Sequence, residues 1–320
     1  MGAIAALVVA SNPGELGGDL SRFLLPAVPA ILALSAAFYV LQGLRWYFLL
    51  RDVGARITIG DTILLNIAGQ STAMLPLGEL TRAIFVTEVA GEVEFGDVVA
   101  TVTVQELIFM LILIVIAVPG VLSVHRALAG LVVAVIGIAA VIAVLTVPPL
   151  FHLVHRVVER TPVLRRFTAQ VDNLRDETVV LLQRPQTLVW SVISIAQAGL
   201  GISLFWLVVH GLQGSTLSWP MASFVLAASY VAGAISLIPG GVGAAEASVV
   251  GLLISVGIDP ATATAAALLQ RIADKGFATV MGFIAYGLAR RRFQLSGLTA
   301  LRPSSAPGTA PPAVGAPVSA

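Results

Sequence analysis

Long apolar segments with almost no charge are the strongest constraint on how this chain folds. Residues 24–44, 128–147 and 187–209 contain no Asp, Glu, Lys or Arg. Each is long enough for a helix to cross the hydrocarbon core of a bilayer, which takes about 20 residues. Of the 320 residues, 58% are hydrophobic and 11% charged, whereas a soluble domain carries about 25% charged residues. The sequence therefore predicts an all-α fold: a polytopic integral membrane helical bundle.

The composition also argues against several functions. The chain has no cysteine, so it offers no disulfide, thiolate metal site or cysteine nucleophile. Its four histidines are scattered, and no acidic residue completes a zinc pattern with them. The arginines lie at the edges of apolar segments and not in an aromatic-interleaved basic patch, so we expect no nucleic-acid binding. No catalytic constellation is present, and we expect neither enzyme activity nor a cofactor.

Breaks in two apolar segments predict the topology. The sequences "LPLGELTRA" and "IPGGVGAAEA" interrupt otherwise helical stretches. Arginines cluster at residues 45–56, 156–184 and 290–292, and positive residues favour the cytoplasmic side. All three clusters fit that side only if each broken pair of short helices enters and leaves by one face. This predicts about six full spans, two re-entrant helical hairpins and a cytoplasmic C-terminus. The hairpins are residues 57–89, entering from the cytoplasm, and residues 219–257, entering from outside.

The two halves repeat one order of features. Each has a proline and glycine break, a nearby glutamate, a short helix, an acidic turn and a long helix. Hairpins that open from opposite faces are typical of inverted repeats, whose broken helices form a substrate site near the midplane. The predicted division is an N-terminal arm or truncated first helix (1–23), a first membrane repeat (24–148), a cytoplasmic amphipathic connector (149–186), a second membrane repeat (187–292) and a disordered tail (293–320).

Ionisable residues inside or beside the apolar segments are the candidate functional residues. A charge at the bilayer centre costs roughly 2.5 to 3.5 kcal/mol on the insertion scale, so these groups must be paired or face water. Arg271, Asp274 and Lys275 have the spacing of one helical face. They predict either a cationic wall for an anionic headgroup or a salt bridge to Asp274 that only stabilises packing. The full set is Glu79, Arg82, Glu106, Glu246, Arg271, Asp274 and Lys275.

The glycine-rich break adds a second candidate feature. Gly240, Gly241 and Gly243 permit positive φ and leave the first amides of the next helix free. Such amides form an anion site together with the helix dipole, although the break also fits a tight turn without a ligand. Glu246 lies in the first turn of that helix, where it either caps the helix or serves cation or proton coupling.

The first half carries its own charged residues. Glu79 and Arg82 are spaced to pair locally. Glu106 lies well inside a predicted span, and an intramembrane glutamate is functional by default. We expect Arg271, in the opposite repeat, to be its partner across one central cavity on which both breaks converge.

Three stretches carry a resemblance to a known family: "LRWYFLLRDVGARITIGD", "LPLGELTRAIF…VATVTVQEL" and "IPGGVGAAEASVVGLL…LLQRIADK". Over about residues 24–290, the chain resembles the flippase-like transmembrane domain family related to the membrane domain of lysylphosphatidylglycerol synthases. The resemblance implies a domain that moves amphipathic lipids between leaflets. In the synthases this domain is joined to a soluble catalytic domain that this chain does not show, so we do not expect lysyl transfer from this chain alone.

The chain departs from the family pattern in its first half. The usual Pro-Gly-x-x-Gly-Glu is shortened around Pro76 and Glu79, and the usual Glu-Arg-x-x-Asp keeps only Glu106. The second half retains Arg271 and Asp274. We therefore expect binding to depend mainly on the second repeat.

The functional expectation is transbilayer movement of an anionic or phosphate-bearing lipid in the bacterial inner membrane. The lipid would be a phospholipid or a polyprenyl-phosphate-linked lipid. The alternative is a non-transporting scaffold or accessory subunit that acts with a lipid-modifying enzyme or glycolipid pathway. The predicted lipid-binding residues are Glu79, Arg82, Glu106, Gly240, Gly241, Gly243, Glu246, Arg271, Asp274 and Lys275.

Overall fold

The computed structural model describes residues 23–73, 78–91, 93–122, 179–181, 183–212, 216–236 and 243–295. Within these ranges the chain forms helices and no strand, which confirms the all-α prediction. Three helical segments in them are long and apolar enough to cross a membrane: Leu25–Asp52, Phe95–Leu122 and Pro185–Gly211. The predicted span 128–147, most of the arm, the connector and the tail, and the glycines Gly240 and Gly241 lie outside the described residues.

The described part of the first half, which stops at residue 122, contains four α-helices. After a 3-10 turn at Leu25–Ala27, they are α1 (Val28–Asp52), α2 (Ile59–Gly69), α3 (Thr81–Ala90) and α4 (Phe95–Leu122). Two further 3-10 turns, Gln70–Thr72 and Gly78–Leu80, flank the first break. The second half contains α5 (Pro185–Trp190), α6 (Val192–Gly211), α7 (Trp219–Ile235), α8 (Ala244–Ser255), α9 (Pro260–Arg271) and α10 (Phe277–Phe293), with a π-helical turn, Ile272–Gly276, between the last two.

Local capping fixes where several helices begin. The Thr58 side chain accepts from the Asp61 amide ahead of α2, and the Ser218 side chain accepts from the Met221 amide ahead of α7. Asp259 caps α9 in the same way. Side-chain oxygens at this position satisfy amides that have no partner inside the helix.

The first helix is longer than the sequence predicted. The predicted span ends at residue 44, whereas α1 continues to Asp52. Arg45 and Trp46, which follow the predicted end of the span, are consequently buried inside the bundle. The burial of Arg45 results from the packing of α1 against α2 and α6. The charges of neighbouring residues in the sequence do not predict this packing.

The fourth helix continues past a proline. A proline inside a helix usually ends or kinks it, but α4 includes Pro119 and continues to Leu122. Proline removes only one backbone donor, and here it lies near the end of the described helix. At Gly120 a Cβ atom would lie 2.0 Å from the Pro220 carbonyl oxygen. Glycine therefore allows α7 to pack directly against this turn.

Two pairs of short helices flank the two breaks. In the first pair, α2 has 11 residues and α3 has 10; in the second pair, α7 has 17 and α8 has 12. The members of each pair pack against each other. The connecting residues 74–77 and 237–242 lie outside the described ranges. The short helices thus flank the breaks that the sequence predicted.

The bundle is held by two main apolar clusters. The larger one joins α1, α4, α6, α7, α8 and α9 around side chains such as Phe109, Phe205 and Leu253. The second joins α1, α2, α3, α4 and α10 around Trp46, Leu65 and Phe85. Helices α1, α4 and α10 contribute to both clusters. In the second cluster α10 packs on helices of the first half of the chain.

The Asp259 cap makes a pH-dependent contribution that can be measured. Partial burial raises the pKa of the Asp259 carboxyl, but hydrogen bonds from Thr262 and from the Ala261 and Thr262 amides lower it by more, so the pKa lies below its ordinary value. A lowered pKa stabilises the fold above the unfolded pKa of about 3.9, and this stabilisation is lost as the pH falls through the folded pKa. We expect Asp259→Ala to cost about 1 kcal/mol at pH 7, measured by unfolding in detergent.

Two substitutions control this prediction. Asp259→Asn retains a capping oxygen but does not titrate, so it should keep most of the stability and lose the acid sensitivity. Ser255→Ala, at an exposed hydroxyl on the same connection, should change the unfolding free energy by less than about 0.5 kcal/mol. Equal unfolding midpoints for wild type and Asp259→Ala at pH 7 would contradict the assignment of the cap.

Candidate functional site

A buried arginine is the centre of the polar site in the first half. Arg82, in the first turn of α3, has no exposed surface. Its Nη2 donates to Glu106 Oε1 at 3.1 Å, and its Nη1 donates to Asn66 Oδ1 at 2.8 Å. The guanidinium also lies over the Trp46 ring, 5.1 Å from the centroid. A buried charge is retained when an opposite charge and further hydrogen bonds compensate it, and Arg82 has both.

Close helix packing brings Arg82 to this position. At Gly69, the last residue of α2, a Cβ atom would lie 2.5 Å from Arg82 Cβ, so only glycine lets α3 begin there. Arg82 pairs with Glu106 on α4, and the predicted local pair of Glu79 with Arg82 stays a prediction. Glu79 belongs to the 3-10 turn Gly78–Leu80, and its side chain lies outside the described part of the structure.

A second arginine lies beside this pair. Arg45 is completely buried on α1, and its Nη1 donates to the Gln105 carbonyl oxygen at 3.0 Å. Its Nε and Nη2 have no hydrogen-bond partner. Arg45 is near enough to Arg82 and Glu106 for both to act on it electrostatically. We name Arg45, Arg82 and Glu106 the arginine cluster; among its three described side chains, two cations face one carboxylate.

Buried amide side chains connect the arginine cluster to α1. Asn66 Nδ2 donates to the Tyr39 carbonyl oxygen at 3.1 Å and to Gln42 Oε1 at 3.2 Å. Gln105 Nε2 donates to the Gln42 carbonyl oxygen at 2.8 Å, and Gln105 Oε1 accepts from Arg82. Gln42 and Asn66 were not among the predicted site residues. Their position within apolar segments indicates a buried role, because amide side chains in apolar helices usually face the bundle interior.

The second half contains an ion pair between Glu246 and Arg271. Glu246, in the first turn of α8, is buried, and its Oε2 accepts from the Gly243 amide at 2.6 Å. Its Oε1 pairs with Arg271 Nη1. Gly243 has φ +91°, a conformation that glycine adopts without strain. The capping role of Glu246 is thus confirmed, and one amide that was a candidate for anion binding donates to a carboxylate of the chain itself.

The predicted pair between Arg271 and Glu106 is wrong in this structure. Arg271 pairs with Glu246, and Glu106 pairs with Arg82. Each cation is therefore matched within its own half of the chain. The physical reason is that the capping geometry holds Glu246 at the start of α8, where α8 packs against α9, so a carboxylate already faces Arg271.

The π-helical turn separates Arg271 from Asp274. The sequence spacing predicts one shared face for a regular α-helix, but residues Ile272–Gly276 form a π-helical turn. Asp274 Oδ1 accepts from the Tyr39 hydroxyl at 2.6 Å, and Oδ2 lies 3.5 Å from the Tyr230 hydroxyl. Arg271 therefore interacts with α8, whereas Asp274 interacts with α1 and α7. Lys275 lies in the same turn and is partly buried. Such single π turns are frequently found at functional sites.

A cavity lies next to Asp274, between α1, α4, α7 and the π-helical turn. Two of the polar atoms around it, Ser35 Oγ and Gln270 Oε1, are buried without a hydrogen-bond partner. The residues that line it include Ser35, Phe38, Phe109, Tyr230, Gln270 and Asp274. Its lining includes no residue of the arginine cluster.

Tyr39 connects the polar groups of the two halves. Its backbone carbonyl accepts from Asn66, which also accepts from Arg82, and its hydroxyl donates to Asp274. A continuous series of hydrogen bonds thus leads from Glu106 in the first half to the π-helical turn in the second. Across the described residues, no group of three or more acidic or histidine side chains is arranged to hold a metal ion.

These features define a helical integral membrane protein with a buried ion pair in each half of its described bundle. A family model for the lysylphosphatidylglycerol synthase TM region matches residues 1–282, and the chain belongs to this family. The match includes residues 1–23, which the sequence resemblance had left out. No curated protein matches the chain significantly.

The buried pair of Arg82 and Glu106 should contribute to stability in a measurable way. Arg82→Met leaves the Glu106 carboxylate without its cation and the Asn66 and Gln105 amide oxygens without their donor. Because 38% of the Glu106 side chain is exposed, the cost comes mainly from the unsatisfied buried amide oxygens, and we expect about 1 to 3 kcal/mol. The double variant Arg82→Met with Glu106→Gln should recover part of this loss. Unfolding of the purified protein in detergent measures both.

A surface pair provides the matched control. Arg292 Nη2 lies 2.9 Å from Asp61 Oδ1, and 62% of the Arg292 side chain is exposed. Because exposed pairs contribute about 0 to 1 kcal/mol, Arg292→Met should have little effect. If Arg82→Met is no more destabilising than Arg292→Met, the buried pair does not have the role assigned to it.

Proposed function

We propose that this chain moves an anionic or phosphate-bearing lipid between the leaflets of a bacterial inner membrane. The observation that carries the proposal is the arginine cluster, where Arg45 and Arg82 are both completely buried while Glu106 is the carboxylate they share. Family membership supports a role connected with membrane lipids.

The chemistry of the cluster suits a phosphate. Two of the Arg45 nitrogens have no hydrogen-bond partner, and a buried guanidinium without partners is expensive to maintain. A phosphate offers several charged oxygens, which the planar guanidinium binds in a bidentate manner. The described side chains of the cluster carry a net positive charge, which an anion would neutralise.

In this proposal, Glu106 and the lipid phosphate alternate as the partner of Arg82. The Glu106 side chain is 38% exposed, whereas Arg82 has no exposed surface. A phosphate arriving on the exposed side would replace the Glu106 carboxylate as the oxygen partner of Arg82. When the lipid leaves, Glu106 would return and compensate the cation. The sequence resemblance suggested that the second repeat binds the phosphate. Because Arg271 is already paired with Glu246, we assign the phosphate to the first half instead.

The same proposal includes an inverted repeat of two re-entrant hairpins. The pairs α2–α3 and α7–α8 would enter from opposite faces, with their breaks meeting near the midplane. The short helices on either side of each break support this arrangement, since neither α2 nor α3 approaches the about 20 residues of a full span. Arg290, Arg291 and Arg292 at the end of α10 support a cytoplasmic C-terminus in this proposal, because positive residues favour that side.

Arg45→Gln separates a transport function from a purely structural one. We expect at least a tenfold slower transbilayer movement of fluorescent phosphatidylglycerol in liposomes, because the phosphate loses its free guanidinium. Unfolding in detergent should show unchanged or increased stability, since the substitution removes a buried charge without a full set of partners. Arg51→Gln, at an exposed position on the same helix, is the control and should leave both properties unchanged.

The alternative function is a scaffold or accessory subunit for a lipid-modifying enzyme. If the wild-type protein moves neither phosphatidylglycerol nor a polyprenyl-phosphate lipid, the transport proposal is wrong and the scaffold is favoured. If Arg45→Gln transports as fast as wild type, the arginine cluster is not the phosphate site.

The re-entrant hairpins predict which pairs of positions share a face of the membrane. The chain has no cysteine, so single cysteines can be labelled without background. Cysteines replacing Thr216 and Ser255, which flank α7 and α8, should both react with an impermeant maleimide from outside. Cysteines replacing Arg56 and Glu88, which flank α2 and α3, should both react from the cytoplasm. Labelling of the two members of a pair from opposite sides would contradict a re-entrant hairpin.

A further inference from the structure

Two buried hydroxyls of α5 and α6 have no hydrogen-bond partner. Most buried serines and threonines in the described helices donate to a carbonyl of their own helix, as Ser229 does to Leu226. Thr187 of α5 and Ser194 of α6 are completely buried and make no such bond. The side-chain oxygen of Gln197, one turn beyond Ser194, is also buried without a partner. Because buried polar groups are normally hydrogen-bonded, three exceptions on one helical segment indicate a region that a polar group enters.

These three side chains lie on the face of the segment that packs against α1. Their positions are two turns and then one turn apart, which places them on one side of a helix. Gly201, one turn further, lies on the same side, and a Cβ atom there would be 3.4 Å from the Phe38 ring of α1. Helices α1 and α6 pack against each other. Thr187, Ser194 and Gln197 therefore face the interface with α1.

A second contact shows how α1 and α6 are aligned. Further along α1 than the first contact, the Phe48 ring stacks on the Trp190 ring with 3.9 Å between the centroids. Since Trp190 precedes Gly201 in the chain, the two helices are antiparallel. Arg45 is one turn before Phe48 in α1. Ser194 is one turn after Trp190, so it lies about level with Arg45.

Unpartnered polar atoms therefore line both sides of this interface. On the α1 side, Arg45 Nε and Nη2 are buried without a hydrogen-bond partner. We name the four polar side chains of the interface the α1–α6 seam: Arg45, Thr187, Ser194 and Gln197. In this structure the seam is closed, because all four side chains are buried. Hydroxyl, amide and guanidinium groups all offer donors, so the seam suits an anion.

Positively charged residues surround the end of the seam at Thr187. Arg184 Nη1, just before α5, donates to the Asp52 carbonyl oxygen at the end of α1. Arg51 and Arg56 are exposed near the same end of α1. Arg51 and Arg184 also act electrostatically on the Asp52 carboxylate. Among these described residues the cations outnumber the carboxylate, which gives this end a positive potential that attracts anions.

We propose that the α1–α6 seam admits an anion from the Arg51 and Arg184 end of the bundle to Arg45. The anion passes the Thr187 hydroxyl and then the Ser194 hydroxyl, and each donates a hydrogen bond to it. The path from Thr187 to Ser194 is about 10 Å long along a helix, roughly a third of the hydrocarbon core of about 30 Å. Helices α1 and α6 separate to open this path.

The identity of the anion as a lipid headgroup rests on the proposed function. In that function the seam is the route by which the phosphate reaches the arginine cluster, and the positive residues at its end assign the entrance to the cytoplasmic side. Val192 and Ile195 of α6 are 63% and 53% exposed. Because this outer surface of α6 is apolar, the acyl chains remain against it while the headgroup enters.

The test measures cysteine reactivity in the full-length protein, which has no cysteine of its own. The probe is sulfonatoethyl methanethiosulfonate, an anion that reacts with thiols in contact with water. In inside-out membrane vesicles, we expect Ser194→Cys to react at least tenfold faster than Ser229→Cys. Ser229 is the matched control, because it is a buried serine of α7 that bonds to its own helix. In right-side-out vesicles, Ser194→Cys should react more slowly than in inside-out vesicles.

A second position and a second reagent keep the test decisive if Ser194→Cys does not fold. Thr187→Cys, nearer the entrance, should also react at least tenfold faster than Ser229→Cys. The cationic reagent trimethylammonioethyl methanethiosulfonate should react more slowly than the anion at both positions, once each rate is divided by the rate with free cysteine. Seam cysteines that react no faster than Ser229→Cys, or that favour the cation, would overturn the proposal.

Lipid movement separates this outcome from that of the proposed function. Reaction with the anionic reagent should slow the movement of phosphatidylglycerol by Ser194→Cys at least tenfold, and it should leave Ser229→Cys unchanged. Unchanged movement after reaction of Ser194→Cys would show that the headgroup does not use the seam. If wild type moves the lipid but the seam cysteines stay unreactive, transport stands and the seam proposal falls. If the seam cysteines react with the anion but wild type moves no lipid, the anion path stands and transport falls.

Discussion

The burial of the Arg82 guanidinium is the interaction on which the first half of the bundle depends. Lipid and apolar side chains offer this cation no hydrogen bonds, so its partners must come from neighbouring helices. Asn66 of α2, together with Gln105 and Glu106 of α4, supplies them. The arrangement also requires the close contact at Gly69. The Arg82 side chain thus links α3 to both α2 and α4, in addition to the apolar cluster that these helices share.

The two halves of the chain satisfy their buried charges separately and are then connected through α1. Arg82 pairs with Glu106, and Arg271 pairs with Glu246. Tyr39 joins the two systems with its backbone on one side and its hydroxyl on the other. A displacement of α1 would disturb both ends of this connection. Helix α1 therefore contacts the polar residues of both halves through one residue.

The sequence predicted those features that depend on interactions between residues close together in the chain. The helices flanking both breaks, the cap formed by Glu246 and the positive φ of Gly243 follow from apolar length, a first-turn glutamate and glycine. It did not predict those features that depend on contact with a neighbouring helix. The burial of Arg45 results from the packing of α1 on α2 and α6, and the continuation of α4 through Pro119 accompanies its contact with α7. Neither neighbour can be identified from the residues beside these positions.

The sequence by itself determined that this protein is helical, membrane-embedded and charged at a few costly positions. These properties depend on hydrophobic length and on the insertion energy of each residue, which are additive along the chain. Tertiary structure alone decided which charges meet. The π-helical turn at Ile272–Gly276 turns Asp274 towards Tyr39 while Arg271 meets Glu246. Pairing energies depend steeply on distance and burial, and both are set by how the helices pack and rotate against one another.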